Sequence, residues 1–165
     1  MGTLISIVLI GVGATIVTDI WSIIRQWLFS VPPPNFGFVG RWMAYCARGH
    51  FRHDAIAKAP PIKGELFIGW FAHYLIGIGF AAVLVGIYGV EWARQPTVGP
   101  ALIVGVVTVA APFFIMQPGM GAGIAASRMS NPGAARIHSL VTHAIFGVGL
   151  YISAIVINLV SQTVS

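Results

Sequence analysis

The sequence predicts an all-α polytopic membrane protein, with four transmembrane helices in a bundle built as two parallel-repeated helical hairpins. Three observations predict it. Hydrophobic residues make up 57% of the 165 and charged residues only 8%, with a mean hydropathy of +0.88, whereas soluble domains carry about 25% charged residues. Nine Lys or Arg and four Asp or Glu are too few to wet the surface of a soluble globule, which excludes a soluble enzyme, and so apolar a chain is not a disordered one. The apolar residues fall into four runs of about 20, the length that crosses about 30 Å of hydrocarbon at 1.5 Å per residue. No stretch alternates with period two over ten residues, which disfavours a β-barrel.

The first run covers about residues 4–24 and contains Thr15, Thr18 and Asp19. It opens Met-Gly-Thr-Leu-Ile without a basic leader, so it reads as a span and not as a cleaved signal peptide. The second run, about 66–90, contains His73; the third, about 98–116, contains Pro112; the fourth, about 139–160, contains His143. Residues 30–64 form a connection too long for a plain loop. It starts with Pro32-Pro33-Pro34, which stiffens the exit from the first span. Over 39–48 the pattern becomes helical, with Val39, Trp42, Met43 and Cys46 on one side and Arg41, Tyr45 and Arg48 on the other. This suits an interfacial helix whose Arg41 and Arg48 reach anionic lipid headgroups. An ordered cap over the bundle's end explains the same pattern. Trp21, Trp27, Trp42, Trp70 and Trp92 fall mostly near the expected interfaces, as headgroup anchors do.

The basic residues orient the chain. Arg25, Arg41, Arg48, Arg52, Lys58 and Lys63 lie in or beside the first connection, and Arg128 and Arg136 in the third; the second has only Arg94. The positive-inside rule then puts the first and third connections in the cytoplasm and both termini in the periplasm of a bacterial inner membrane. The lipid bilayer is the expected partner. Nucleic acid is not, although the pI is near 10, because the charges follow topology and do not form a soluble basic face. The single cysteine, Cys46, rules out an internal disulfide.

The halves of the chain resemble each other. His73-Tyr-Leu-Ile-Gly77-Ile-Gly79 recurs 70 residues later as His143-Ala-Ile-Phe-Gly147-Val-Gly149, and Lys58 falls on Arg128. An offset of 98 places Leu4-Ile5 on Leu102-Ile103 and Asp19 on Gln117. Both halves enter the membrane from one side, so the repeat is a parallel one. The arrangement predicts a polar cluster of Asp19, Glu65, His73, Gln117, His138 and His143 in the cytoplasmic half, because ionisable groups at that depth are costly without partners.

Three readings of the cluster stay open. Interhelical hydrogen bonds worth about 1 kcal/mol each would make it part of a structural scaffold without a ligand. The same carboxylates and imidazoles could bind or relay a proton or small solute, with a homo-oligomer supplying the room that four helices lack. In the third reading, His73 and His143 ligate haem b, with Gly77 and Gly147 leaving space for the macrocycle, or join Asp19 and Glu65 around a divalent metal. The sequence has no HExxH, CxxC, Walker loop, nucleophile elbow or Rossmann fingerprint. Binding or transport is therefore expected in preference to catalysis. His50, His53 and Asp54 read as solvated surface groups of the basic loop.

Gly13-Ala-Thr-Ile-Val-Thr-Asp19-Ile-Trp21, Val39-Gly-Arg41-Trp42, His53-Asp54-Ala-Ile, Met116-Gln-Pro-Gly-Met-Gly121 and Arg136 with His143 together resemble a bacterial family of four-span inner-membrane proteins catalogued only as a domain of unknown function. The resemblance runs from about Gly11 to Tyr151, and the Met-Gln-Pro-Gly-Met-Gly block is its most specific part. It implies a bacterial inner-membrane setting and brings no activity, cofactor or catalytic residue with it.

Overall fold

A computed structural model describes residues 2–163, and every regular element among them is helical. Helix α1, Thr3–Phe29, ends where Ser30 turns left-handed at φ 54° and its N–H closes on Gln26 O. The proline triplet that follows cannot extend the helix. Helix α2, Phe36–Cys46, begins with the Asn35 side chain accepting from Phe38 N, a capping bond worth about 1 kcal/mol. It starts three residues before the expected interfacial helix and stops two before its end. Helix α3, Glu65–Tyr88, is followed through Gly89 by the short α4, Val90–Arg94.

Helix α5, Val98–Val107, leads through Pro112 into α6, Gln117–Met120. Proline has no N–H and its ring crowds the preceding turn. The chain answers by widening into a π turn over Pro112–Met116, in which Gln117 N–H reaches back five residues to Pro112 O. Helix α7, Pro132–Thr163, has proline at its first position and Asn131 accepting from Ala134 N, an entry that proline and asparagine both favour.

Four stretches are long and apolar enough to cross a membrane: Thr3–Phe29, Glu65–Tyr88, Val98–Met120 and Pro132–Thr163. In each, only 28–33% of the most apolar window is buried within the protein. The outward faces are apolar too, with Leu4, Ile23, Phe67, Val107 and Phe114 all exposed, and such faces require lipid. The chain is a multi-pass membrane protein.

The helices are shared between two compact units. The bundle unit comprises residues 1–33, 74–108 and 141–165, so it draws on all four spans. Its core is Ile10, Ala14, Ala81, Leu84, Val104, Phe146 and Leu150, among others. Glycines set the helix spacing. A Cβ on Gly11 would lie 2.5–2.9 Å from the backbone of Gly77 and Ile78, and one on Gly105 would lie 2.5–2.8 Å from the backbone of Gly147 and His143. Gly149 meets Ala14 in the same way. Backbones approach this closely only where side chains are absent, as small-residue helix contacts in membranes do. Gly77 and Gly147, the repeat glycines, both sit at such contacts. Their partners Gly11 and Gly105 are 94 residues apart, not the 98 that aligns the sequences of spans one and three.

The loop unit comprises residues 34–73 and 109–140. Helix α2 lies against the start of α3 through another glycine pair: a Cβ on Gly40 would run into Glu65 O, and one on Gly69 into Phe36 O.

Candidate functional site

The charged centre of the loop unit is Arg41. Its Nε and Nη2 form a bidentate pair with Glu65 at 2.8 and 2.7 Å, and its Nη1 donates to Ile56 O and Ala59 O at 3.3 and 2.9 Å. Glu65 also accepts from Ile62 N at 2.8 Å. Arg41 is 8% exposed, and the hydrogen bonds it donates to Glu65 raise its pKa further, so its charge is permanent. One buried guanidinium thus fixes two points of the first connection to the first residue of α3. Of the two arginines expected at lipid headgroups, Arg41 is committed here, and Arg48 is exposed.

A second junction joins the first connection to the Met-Gln-Pro-Gly-Met-Gly block. His53 N donates to Gly119 O at 2.9 Å, and Trp42 Nε1 donates to Phe51 O at 3.0 Å. A Cβ on Gly119 would strike the Trp42 indole, and one on Gly121, where φ is +95°, would strike Asp54 O. The block needs glycine at both positions, once for closeness and once for closeness and backbone angle.

Beyond this junction lies an open cleft of about 510 Å³, lined by Arg52, His53, Asp54, Pro118, Ser127 and Arg128 among others. The chain segment that supplies Gly123, Ile124, Ser127 and Arg128 to the lining has unusual backbone. Gly121 and Gly123 have positive φ, and so do Ala125 and Ala126 at 47° and 59°; such alanines cost about 1–2 kcal/mol each. His53 Nε2 is buried with no hydrogen-bond partner, and Arg52 and Arg128 are exposed.

Over residues 8–157 the sequence matches the family described as a protein of unknown function (DUF2938). The chain belongs to that family. No curated protein and no solved structure matches it.

The six groups expected to cluster are placed as follows. In the bundle unit, Asp19 Oδ2 accepts from Tyr74 Oη at 2.9 Å. His143 Nδ1 lies 2.9 Å from Thr108 Oγ1, which itself donates to Gly105 O at 2.6 Å. The hydroxyl has one proton, and the shorter bond takes it, so His143 Nδ1–H donates to the hydroxyl oxygen. In the loop unit, Glu65 is held by Arg41, and the His73 ring lies tilted against Phe36 and edge-on to Trp70, with centroids 4.5 and 5.8 Å apart. Gln117 Oε1 is buried without a partner, and His138 is half-buried.

Among the described residues, no three His, Cys, Asp or Glu side chains gather as a metal site. The space beside Gly77 is filled by Thr15, and that beside Gly147 by Ala101 and Leu102, so neither glycine leaves room for a macrocycle. Sequence reasoning named none of Arg52, Ser127 and Arg128 as a site residue. No periodicity or spacing links these residues, because the segments that supply them lie more than sixty residues apart in the chain.

Proposed function

We propose that this is a bacterial inner-membrane protein, with both termini periplasmic, that binds a small polar ligand on its cytoplasmic side in a transport-related role. One observation carries the reading: the cleft that gathers Arg52, His53, Asp54, Ser127 and Arg128 from the two most basic connections. Polar pockets with a few convergent charged groups are where small ligands bind. The basic residues of the first and third connections support the cytoplasmic placement. Asp19 and His143, each met by a neighbouring hydroxyl, act here as interhelical fasteners that hold the bundle.

The test has two arms. In a Cys46→Ala background, Arg128→Cys should react with an impermeant maleimide in inside-out vesicles and stay unlabelled in right-side-out ones; the opposite pattern overturns the orientation. Purified protein should be stabilised against heat by at least one class in a panel of anionic, zwitterionic and neutral solutes. That stabilisation should vanish in the Arg52→Gln, Arg128→Gln double variant. A panel without effect leaves the protein as a scaffold.

A further inference from the structure

We propose that the cleft of the loop unit holds the phosphate of a hydroxyl-bearing phosphate ester, with Arg52 and Arg128 on the phosphate and Asp54 on a hydroxyl. The proposal rests on the binding role given to this cleft above and names its ligand class. Three charged side chains line one cavity of about 510 Å³, yet no ion pair joins any two of them among the described residues. The groups stand apart across a space of ligand size. Two guanidiniums converging on such a space are the usual answer to a phosphate, because the planar fork matches its oxygens.

Asp54 then needs its own explanation, since a carboxylate repels a phosphate. It is satisfied by a donor on the same ligand, which is a hydroxyl or an ammonium. Charge decides between them. The three charged side chains Arg52, Arg128 and Asp54 sum to one positive charge, so the complement is a ligand with one excess negative charge. A phosphoglycerol group, as a diester, has that charge and offers hydroxyls. A zwitterionic phosphoethanolamine diester would leave one guanidinium unanswered. Ser127 and His53 add further polar side chains to the lining.

The backbone is built to hold this lining. Gly123, with φ +77°, lies where a Cβ would strike Ser127 Oγ and Arg128 Cγ, so its lack of a side chain lets both fold over the cleft. The left-handed pair Ala125–Ala126 follows after Ile124, and Arg136 Nε clamps it by donating to Ala125 O at 2.8 Å. Strain retained and clamped beside a charged cleft is how binding loops are commonly held.

The same phosphoglycerol chemistry occurs on a lipid headgroup and on a soluble ester, and the experiment separates them. Full-length protein purified without phosphate is titrated with the diesters glycerophosphoglycerol and glycerophosphoethanolamine and with inorganic phosphate. In parallel it is placed in nanodiscs of phosphatidylglycerol or phosphatidylcholine, and retained lipid is read by native mass spectrometry. Glycerophosphoglycerol should bind, and the Arg52→Gln, Arg128→Gln variant should weaken it about tenfold or more. Asp54→Asn should weaken glycerophosphoglycerol while leaving inorganic phosphate bound as well or better. Retention of phosphatidylglycerol that disappears in the double variant identifies the lipid as the source; binding of the soluble ester alone identifies a free metabolite. Tighter binding of glycerophosphoethanolamine overturns the choice of a hydroxyl over an ammonium. If no phosphate compound distinguishes wild type from the double variant while another solute of the panel does, the phosphate class falls and the binding reading stands. If no solute does, both fall. A matching unfolding midpoint for the variants shows that they are folded.

Discussion

The two units solve the same problem, holding helices and chain segments close together, with different materials. Nine of the thirteen charged residues belong to the loop unit, and the bundle unit has only Asp19, Arg25, Glu91 and Arg94. Glycine brings backbones together in both. In the bundle little else is added beyond apolar contact and a few hydroxyl bonds, because charge is costly at that depth. In the loop unit each glycine contact is locked by directed polar groups: Gly40 and Gly69 lie beside the Arg41–Glu65 pair, and Gly119 beside the His53 and Trp42 bonds. The contrast implies that the bundle is sensitive to volume and the loop unit to the loss of single polar atoms.

The largest effect should come from adding volume to the bundle. Gly11→Val and Gly105→Val each drive a side chain into a facing backbone that cannot yield, at a cost of about 3 kcal/mol. Thermal unfolding in detergent should show it, and an unchanged midpoint would break the comparison on the bundle side. Next is Arg41→Ala, which releases Glu65, Ile56 and Ala59 at once. Proteolytic cleavage between residues 47 and 64 should rise roughly tenfold or more while helical content holds. Equal cleavage in wild type and variant would show that the ion pair is ornamental.

A smaller change is expected from Tyr74→Phe, which removes the hydroxyl bound to Asp19 inside the bundle. Such bonds in membranes average about 1 kcal/mol or less, so a loss above about 3 kcal/mol, measured by the same unfolding, would mean that polar atoms matter in the bundle as well. The smallest effect is kinetic. Burial pushes the Cys46 thiol up from its ordinary range, so at neutral pH it is protonated and unreactive. Maleimide labelling at pH 7 should be slower than for a free thiol and should accelerate as the pH rises above 9; fast labelling at pH 7 would contradict the ordered environment of α2.

The four helices were legible because membrane crossing demands long apolar runs, and nothing else in 165 residues looks like them. The positions of residues in the connections were less so. Arg41 and Glu65 stand 24 residues apart with no periodic relation, and a helical pattern alone assigns an arginine on a polar face to headgroups. Asp54 and His53 look like surface residues until Gly119 and Gly121 are brought against them. Offsets between similar segments located Gly77 and Gly147 at equivalent contacts. They misplaced the spans facing those glycines by one helical turn, because apolar residues are interchangeable in an alignment while a glycine contact is not.

The Arg41–Glu65 pair also has a timetable. Both partners and everything they bind lie before residue 66, so this half of the loop unit can close as soon as the first residue of α3 is made. Gly119 and Gly121 emerge more than fifty residues later, which at about 5–20 residues per second is a delay of several seconds. During that interval the His53 amide waits without its acceptor, and the Trp42 indole lacks the Gly119 backbone that packs against it. A chaperone or protease that acts on nascent membrane proteins would meet the chain in that state.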